Sequence, residues 1–252
     1  MSESFRTEQI LRMARQDGNV TTDRIASAFG VTVQTARRDL TRLCAAGQLV
    51  RVHGGAVLPL RTGHIDRPRR RELQTQAKLA IARKAAAQIP DGASVFLDIG
   101  TTLEAVAEII AARSGLMIIT NNLHVANRLS ETPDIEVIVA GGTLRPSDGG
   151  LVGEVTAGFM RQFRPDIALM GASALSLDGD ALDHDFREVC VAQAVIGLAR
   201  RTLLLADSSK FERHAPVRIG RIADFDAFVT DLAPPDPIAR ACDSTGCEIL
   251  LP

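Results

Sequence analysis

The sequence predicts an α/β protein in two parts, a small winged helix-turn-helix head followed by a larger, mainly parallel α/β domain. Three observations carry this. Short, glycine-punctuated helical segments fill the first fifty residues and end in a strand-like stretch. Apolar runs separated by helix-like segments fill the region beyond residue 78. The charge divides along the same line: residues 1–71 hold thirteen Arg, no Lys and six acids, a net of +7, whereas 72–252 hold sixteen basic and twenty-four acidic residues, a net of −8. The overall charge of −1 conceals this split between a head suited to phosphates and a body repelled by them.

Taken in order, a first helix carries Ile10, Leu11 and Ala14 and ends near Gly18. Thr22 is the expected cap of a second helix with Ile25, Ala26 and Phe29 on one side, and Gly30 suits the left-handed residue that ends it. Thr32 caps a third. Its apolar Val33, Ala36, Leu40 and Leu43 share a side at about 100° per residue, turning Gln34, Thr35, Arg38 and Arg42 outward with Arg37 on the flank. Arg and Gln make bidentate contacts with guanine and adenine edges, and Thr offers a hydroxyl and a methyl, so this outer face fits a major groove. Gln48 to His53 with Gly54-Gly55 completes the wing, and Arg51 and His53 join Thr32, Gln34, Thr35, Arg37, Arg38 and Arg42 as candidate DNA contacts. An isolated amphipathic helix with a few arginines is ordinary solvated surface; three such helices with a wing are not.

Residues 58–77, with Pro59, Gly63, Pro68 and Arg69-Arg70-Arg71, read as a linker between a head of residues 1–57 and a domain of residues 78–252. The arginine run reads as solvated linker or as a contact to DNA backbone. Lys78 to Ile89 is helical in period and Pro90-Asp91-Gly92 turns. Apolar runs then follow at Val95–Ile99, Met117–Thr120, Ile135–Ala140, Ile167–Met170, Thr202–Ala206 and Ala227–Val229. Continuous apolar strands alternating with helices argue for a parallel sheet covered on both faces.

Most runs end in small or polar residues: Asp98-Ile99-Gly100-Thr101-Thr102, Thr120-Asn121-Asn122, Gly141-Gly142-Thr143-Leu144-Arg145, Gly171-Ala172-Ser173 and Asp207-Ser208-Ser209-Lys210. Ligands in open α/β sheets bind outside the carboxyl ends of the strands, so these five turns are expected to border one crevice. Gly100-Thr101-Thr102 opening a helix offers N–H groups, hydroxyls and a positive dipole end to an anion. Arg145 and Lys210 add formal charge, and Asp98, Asn121, Asn122 and Glu188 suit hydroxyl groups. A small polyhydroxylated phosphate matches this chemistry. Each turn also has a plainer reading: a helix cap, a tight turn, a surface lysine. Asp183, His184, Asp185 and Glu188 are grouped closely enough to suggest a metal, but acids before a helix more often cap it, and no metal is expected.

No stretch approaches the ~20 apolar residues of a membrane span, and an apolar signal region is missing, so a cytoplasmic location is expected. Cys44, Cys190, Cys242 and Cys247 are dispersed without a C-x-x-C pair. G-x-S-x-G, P-loop and G-x-G-x-x-G signatures are absent as well, which removes the commonest hydrolase, nucleotide and dinucleotide readings.

Thr35-Ala36-Arg37-Arg38-Asp39-Leu40, Arg51-Val52-His53-Gly54-Gly55-Ala56, Asp98-Ile99-Gly100-Thr101-Thr102 and Asp207-Ser208-Ser209-Lys210-Phe211 resemble the DeoR family of bacterial transcriptional regulators over nearly the whole chain. The resemblance implies a sensor domain of the ribose-5-phosphate isomerase fold and a homo-oligomer, dimer or tetramer, that represses a double-stranded operator. It also implies release by a phosphorylated inducer, sn-glycerol 3-phosphate or another phosphorylated sugar, with no cofactor. It carries the ligand role onto Gly100, Thr101, Thr102, Asn121, Asn122, Gly141, Gly142, Arg145, Glu188 and Lys210. One departure stands out: the family's basic residue a few positions after the glutamate is replaced here by Ala192 and Gln193. The leading reading is a repressor of glycerol 3-phosphate or related carbohydrate metabolism genes. The alternatives are a sugar-phosphate isomerase-like enzyme, with Asp98 or Glu188 as general base, and a repressor sensing a different sugar phosphate. The winged head has no purpose in the enzyme.

Overall fold

The computed structural model describes residues 3–17, 19–46, 48–52, 54–57 and 67–252. It divides into two compact units, Met1–Gly63 and His64–Pro252. In the first, α1 (Glu3–Asp17), β1 (Asn19–Thr21), α2 (Thr22–Phe29), α3 (Val33–Ala45), β2 (Val50–Val52) and β3 (Gly55–Val57) enclose a core of Ile10, Ala14, Val20, Ile25, Ala36, Leu40, Leu43, Leu49 and Ala56. The strands form an antiparallel wing with β3 in the centre. Gly55 is required there, since a Cβ would stand 2.2 Å from the Val20 carbonyl oxygen on β1. Gly30 ends α2 at φ +61° as expected.

Two details of the head differ from the sequence reading. Thr21, not Thr22, caps α2, accepting from the Arg24 amide at 3.2 Å, while the Thr22 hydroxyl donates to the Gly54 carbonyl at 3.1 Å and ties helix to wing. Val33 is 37% exposed and does not join the core. The buried face of α3 takes Asp39 instead, whose carboxylate accepts from Arg6 Nε at 2.6 Å.

In the second unit, α4 (Arg67–Glu72) and α5 (Thr75–Ala86) precede the main sheet. Thus residues 67–77 of the expected linker are two helical segments with an intervening turn. Arg70 is half-buried rather than solvated, pairing with Asp148 at 3.0 Å. The chain continues through β4 (Ser94–Leu97), α6 (Thr101–Ile110), β5 (Leu116–Thr120), α7 (Leu123–Leu129) and β6 (Ile135–Val139). A hairpin of β7 (Thr143–Arg145) and β8 (Gly150–Val152) leads to α8 (Glu154–Met160) and β9 (Ile167–Gly171). After β10 (Ala174–Leu175), β11 (Asp180–Asp183) and α9 (Phe186–Val195) come β12 (Arg201–Leu205), β13 (Val217–Arg221), β14 (Ala227–Val229), α10 (Asp236–Thr245) and β15 (Glu248–Leu250).

The seven-stranded parallel sheet runs β15-β14-β12-β9-β4-β5-β6. Its strands are apolar on both sides. Val95, Leu97, Leu203 and Leu205 enter one core cluster with Ile81, Val106 and Ile110, while Phe96 and Leu204 enter the other with Met160, Val191 and Ile238. The hairpin, the short last strand β15 and the small antiparallel sheet β10-β11-β13 have no counterpart in the sequence reading. From β4 the chain first adds strands outward on one side, β5 then β6, and then on the other, β9, β12, β14 and β15. Strand order therefore reverses between β4 and β9. The connections that leave their carboxyl ends run in opposite directions there, opening a crevice at the topological switch point. Among the described residues no helix is long and apolar enough to cross a membrane.

Candidate functional site: a cationic cleft and an exposed helix

The crevice between the ends of β4 and β9 is a polar cleft. Its floor and walls include Gly100, Thr101 and Thr102 after β4, Gly171, Ala172 and Ser173 after β9, and Asp207 and Lys210 after β12. Gly100 adopts φ +143°, a conformation that L side chains rarely take, and hands the chain directly into α6. No side chain caps this helix, so the first amide groups of α6 stand at the cleft with the helix's positive end.

Four cations line the same cleft: Arg70 from α4, Lys78 from α5, and Lys210 and Arg213 from the loop after β12. Lys78 is buried and donates to the Arg70 carbonyl. Arg213 Nη2 donates to Ser209 Oγ at 3.0 Å. Burial lowers the Lys78 amine to about 8; Asp207 opposes the fall, and Arg213 and Arg70 add to it. Lys210 is lowered to about 8 by burial, then by Arg213, Lys78 and Arg70, against Asp207. A cluster of cations that depress one another is an arrangement an entering anion stabilises.

Carboxyl groups lie in or beside the same cleft. Asp98 is buried with an Oδ1 that has no hydrogen-bond partner; burial, reinforced by Asp183, raises it to about 7. Glu188 is raised well above its usual range by burial and by Asp183, with Arg145 opposing. Asp183 accepts from Ser173 Oγ at 2.7 Å and from the His184 and Asp185 amides. A carboxyl group donates to a hydroxyl group when protonated and accepts from one in either state. Asp185 caps α9, the plainer of the two sequence readings, and among the described residues no group of three or more side chains is placed to hold a metal.

The expected ligand residues separate. Gly100, Thr101, Thr102, Glu188 and Lys210 line the cleft, with Asp98 buried beside Asp183 and Glu188. Arg145 stands behind Glu188, pairing with it, with Asp148 at 2.6 Å and with Asp185 at 3.0 Å; these carboxylates keep its charge against the cost of burial. Asn121, Asn122, Gly141 and Gly142 do not line the cleft. Asn122 caps α7, accepting from the His124 amide at 2.9 Å, and Asn121 Nδ2 donates to the Leu151 carbonyl at 3.3 Å. Gly142 sits at φ +147° where a Cβ would meet Thr156 Oγ1 at 1.9 Å. Their turns follow β5 and β6, on the far side of β4 from the switch point, so only three of the five strand-end turns converge. Ala192 packs in the core and Gln193 Nε2 donates to the Arg218 carbonyl at 2.9 Å, so neither supplies the charge the family places there. Arg70, Lys78 and Arg213 are cleft residues that the sequence reading misses.

On the head, Thr32 caps α3, its hydroxyl accepting from the Thr35 amide at 3.2 Å and sharing a hydrogen bond with the half-buried Thr35 hydroxyl at 2.9 Å. Gln34, Arg37, Arg38 and Arg42 are exposed, as is Thr41, absent from the expected contacts; its hydroxyl donates to the Arg37 carbonyl at 2.8 Å. Arg51 is exposed on β2, and His53 lies outside the described residues.

A family model described as the DeoR-like helix-turn-helix domain matches residues 6–62, and one described as the DeoR C terminal sensor domain matches residues 73–232. The chain is 43% identical over 235 residues to the glycerol-3-phosphate regulon repressor of Escherichia coli (strain K12), covering 93% of each chain. It is 37% identical to the HTH-type transcriptional repressor CsqR of the same organism, covering 98% of this chain and 95% of that one. The lactose phosphotransferase system repressor of Lactococcus lactis is 34% identical, with 92% of each covered. Among solved structures, ribose 5-phosphate isomerase A of Methanocaldococcus jannaschii aligns with a TM-score of 0.41 at 16% identity, covering 54% of each chain.

Proposed function

The chain belongs to the DeoR family and is a DNA-binding transcriptional repressor rather than an enzyme, and from that premise we propose that its cleft binds a phosphorylated polyol, sn-glycerol 3-phosphate, which releases the operator. The observation that carries this reading is the meeting of Arg70, Lys78, Lys210 and Arg213 with the uncapped start of α6 in one cleft, which also takes the carboxyls of Asp183 and Glu188, with Asp98 buried beside them. A phosphate takes the cationic end, where Gly100, Thr101 and Thr102 supply amides and hydroxyls. The hydroxyls of a short polyol take the carboxyl end. Arg145 positions Glu188 rather than touching the ligand.

The exposed arc of α3 enters the major groove: Gln34, Arg38 and Thr41 face base edges, Arg37 and Arg42 the flanking phosphates, and Arg51 with His53 on the wing the adjoining backbone. One head reads a short half-site, so the repressor works as a homo-oligomer, a dimer or tetramer, in the cytoplasm where its operator lies. The 1–57 head and the sensing body act as separate functional parts joined by the intervening chain.

The test is operator affinity titrated with sn-glycerol 3-phosphate, free glycerol, fructose phosphates and deoxyribose 5-phosphate. Release by sn-glycerol 3-phosphate but not by glycerol is expected, and Lys210→Ala should bind operator yet resist release. Release by another sugar phosphate alone discards the named effector. An unchanged response in Lys210→Ala places the effector elsewhere.

A further inference from the structure

Arg70 differs from the other cations of the cleft in where it comes from. It lies on α4, the first described element of the sensing unit, and the chain reaches the head unit only seven residues earlier, at Gly63. α4 is pinned at two points. Arg67 makes a two-pronged pair with Glu104 of α6, at 2.8 and 2.7 Å, and Arg70 Nη2 donates to Asp148 Oδ2 at 3.0 Å in the turn of the β7–β8 hairpin. Arg70 also accepts from Lys78 through its carbonyl. Its Nε is buried and has no hydrogen-bond partner, while its side chain lines the cleft.

The guanidinium is therefore half used. One nitrogen is held by Asp148, itself shared with Arg145 at 2.6 Å, and another, Nε, is a buried donor without a partner on a residue that lines the cationic cleft. A buried donor without a partner is costly, so a ligand acceptor brought within its reach is favoured. An anion at the start of α6 has oxygen acceptors to spare and a charge that competes with Asp148 for the same guanidinium.

We propose that Arg70 is an effector ligand and the residue that couples the cleft to the head: an anion bound at the α6 N-terminus recruits its guanidinium, shifting α4 and with it the chain that leads to the winged unit. This rests on the reading of the cleft as the effector site. The effector changes operator affinity only by preferring one of two arrangements. Arg70 supplies that preference because its contact reports ligand on one side and, through α4, holds the connecting chain on the other. Lys210 and the α6 amides belong to the body's own framework and bind without transmitting.

The experiment uses the full-length protein, with sn-glycerol 3-phosphate as the probe. Calorimetry gives its affinity for wild type, Arg70→Ala and Arg70→Lys, and anisotropy of labelled operator DNA gives operator affinity without effector and at saturating effector. Wild type should show a coupling in the ordinary range of roughly 5–150-fold. Arg70→Ala should bind effector more weakly yet, once saturated, change operator affinity by less than about 2-fold, the range of no coupling. Arg70→Lys keeps the charge and guards against misfolding; it should bind effector within a few-fold of wild type and still transmit less. If saturating effector restores the full wild-type shift in both variants, Arg70 only contributes binding and the coupling role is overturned. If wild type does not bind sn-glycerol 3-phosphate, the effector reading falls and this proposal with it; if wild type responds and both variants match it, only the present proposal falls.

Discussion

Asp98→Asn should stabilise the protein above neutral pH, and by an amount that depends on pH in a defined way. The carboxyl lies buried at the end of β4, with burial and Asp183 lifting it from an ordinary value of 3.8 to about 7. Well below pH 3.8 the acid is protonated in both folded and unfolded chains and imposes no penalty. Well above pH 7 it is ionised in both, and the folded state carries the whole cost of a charge it disfavours. Between these limits the folded state holds more protons than the unfolded one, so stability falls as pH rises. The rise from 3.8 to about 7, at about 1.36 kcal/mol for each pH unit, sets an upper bound of about 4 kcal/mol, of which roughly 2–3 kcal/mol falls between pH 5 and pH 8. The amide adds donors beside Asn121 and costs something of its own, but that cost does not change with pH. The measured quantity is the stability difference between variant and wild type at pH 5 and at pH 8, from urea unfolding. With no Trp and no Tyr in the chain, circular dichroism is the natural probe. A difference that stays constant across this range refutes the argument, because it removes the protonated carboxyl from the cleft.

Effector binding should take up protons near pH 8, since Lys78 and Lys210 are both lowered to about 8 and a bound anion restores their charge; calorimetry in buffers of different ionisation enthalpy measures this, and buffer-independent heats would exclude it. As pH rises from 7 to 9, effector affinity should fall accordingly. On the head, Arg38→Ala should relax base preference by about 1–3 kcal/mol, whereas Arg37→Ala should weaken operator and random DNA alike; equal losses on both DNAs for the two variants would remove Arg38 from the bases. Gly142→Ala should destabilise the body by more than about 1 kcal/mol, because the backbone is at φ +147° and the new Cβ meets Thr156 Oγ1 at 1.9 Å. Unchanged unfolding would show that this turn relaxes freely.

How much of the cleft is legible in the sequence depends on which physical signal each residue carries. The strands are readable because both faces are buried, leaving runs such as Val95–Leu97 and Ile167–Met170 apolar throughout, and the turn after each run announces itself in Gly, Thr, Asn and Ser. Which turns meet is a different matter. The reversal of strand order between β4 and β9 is a property of the assembled sheet, and nothing local distinguishes Gly100-Thr101-Thr102, which lines the cleft, from Asn121-Asn122, which caps the next helix. Lys78 does carry a local signal. It shares the α5 stripe with Ile81, Ala82 and Ala85, so it sits at a position that helical spacing makes apolar. Asp39 does the same on α3 among Ala36, Leu40 and Leu43, and both prove buried, one lining a cleft and the other paired with Arg6. Arg70 carries the opposite disguise, an arginine run after a proline that composition assigns to solvent. A charge on an apolar stripe must have a partner or a purpose. For Asp39 the partner is Arg6; Lys78 donates to the Arg70 carbonyl and has Asp207, Arg213 and Arg70 about it, in a cleft whose four cations a phosphate would stabilise.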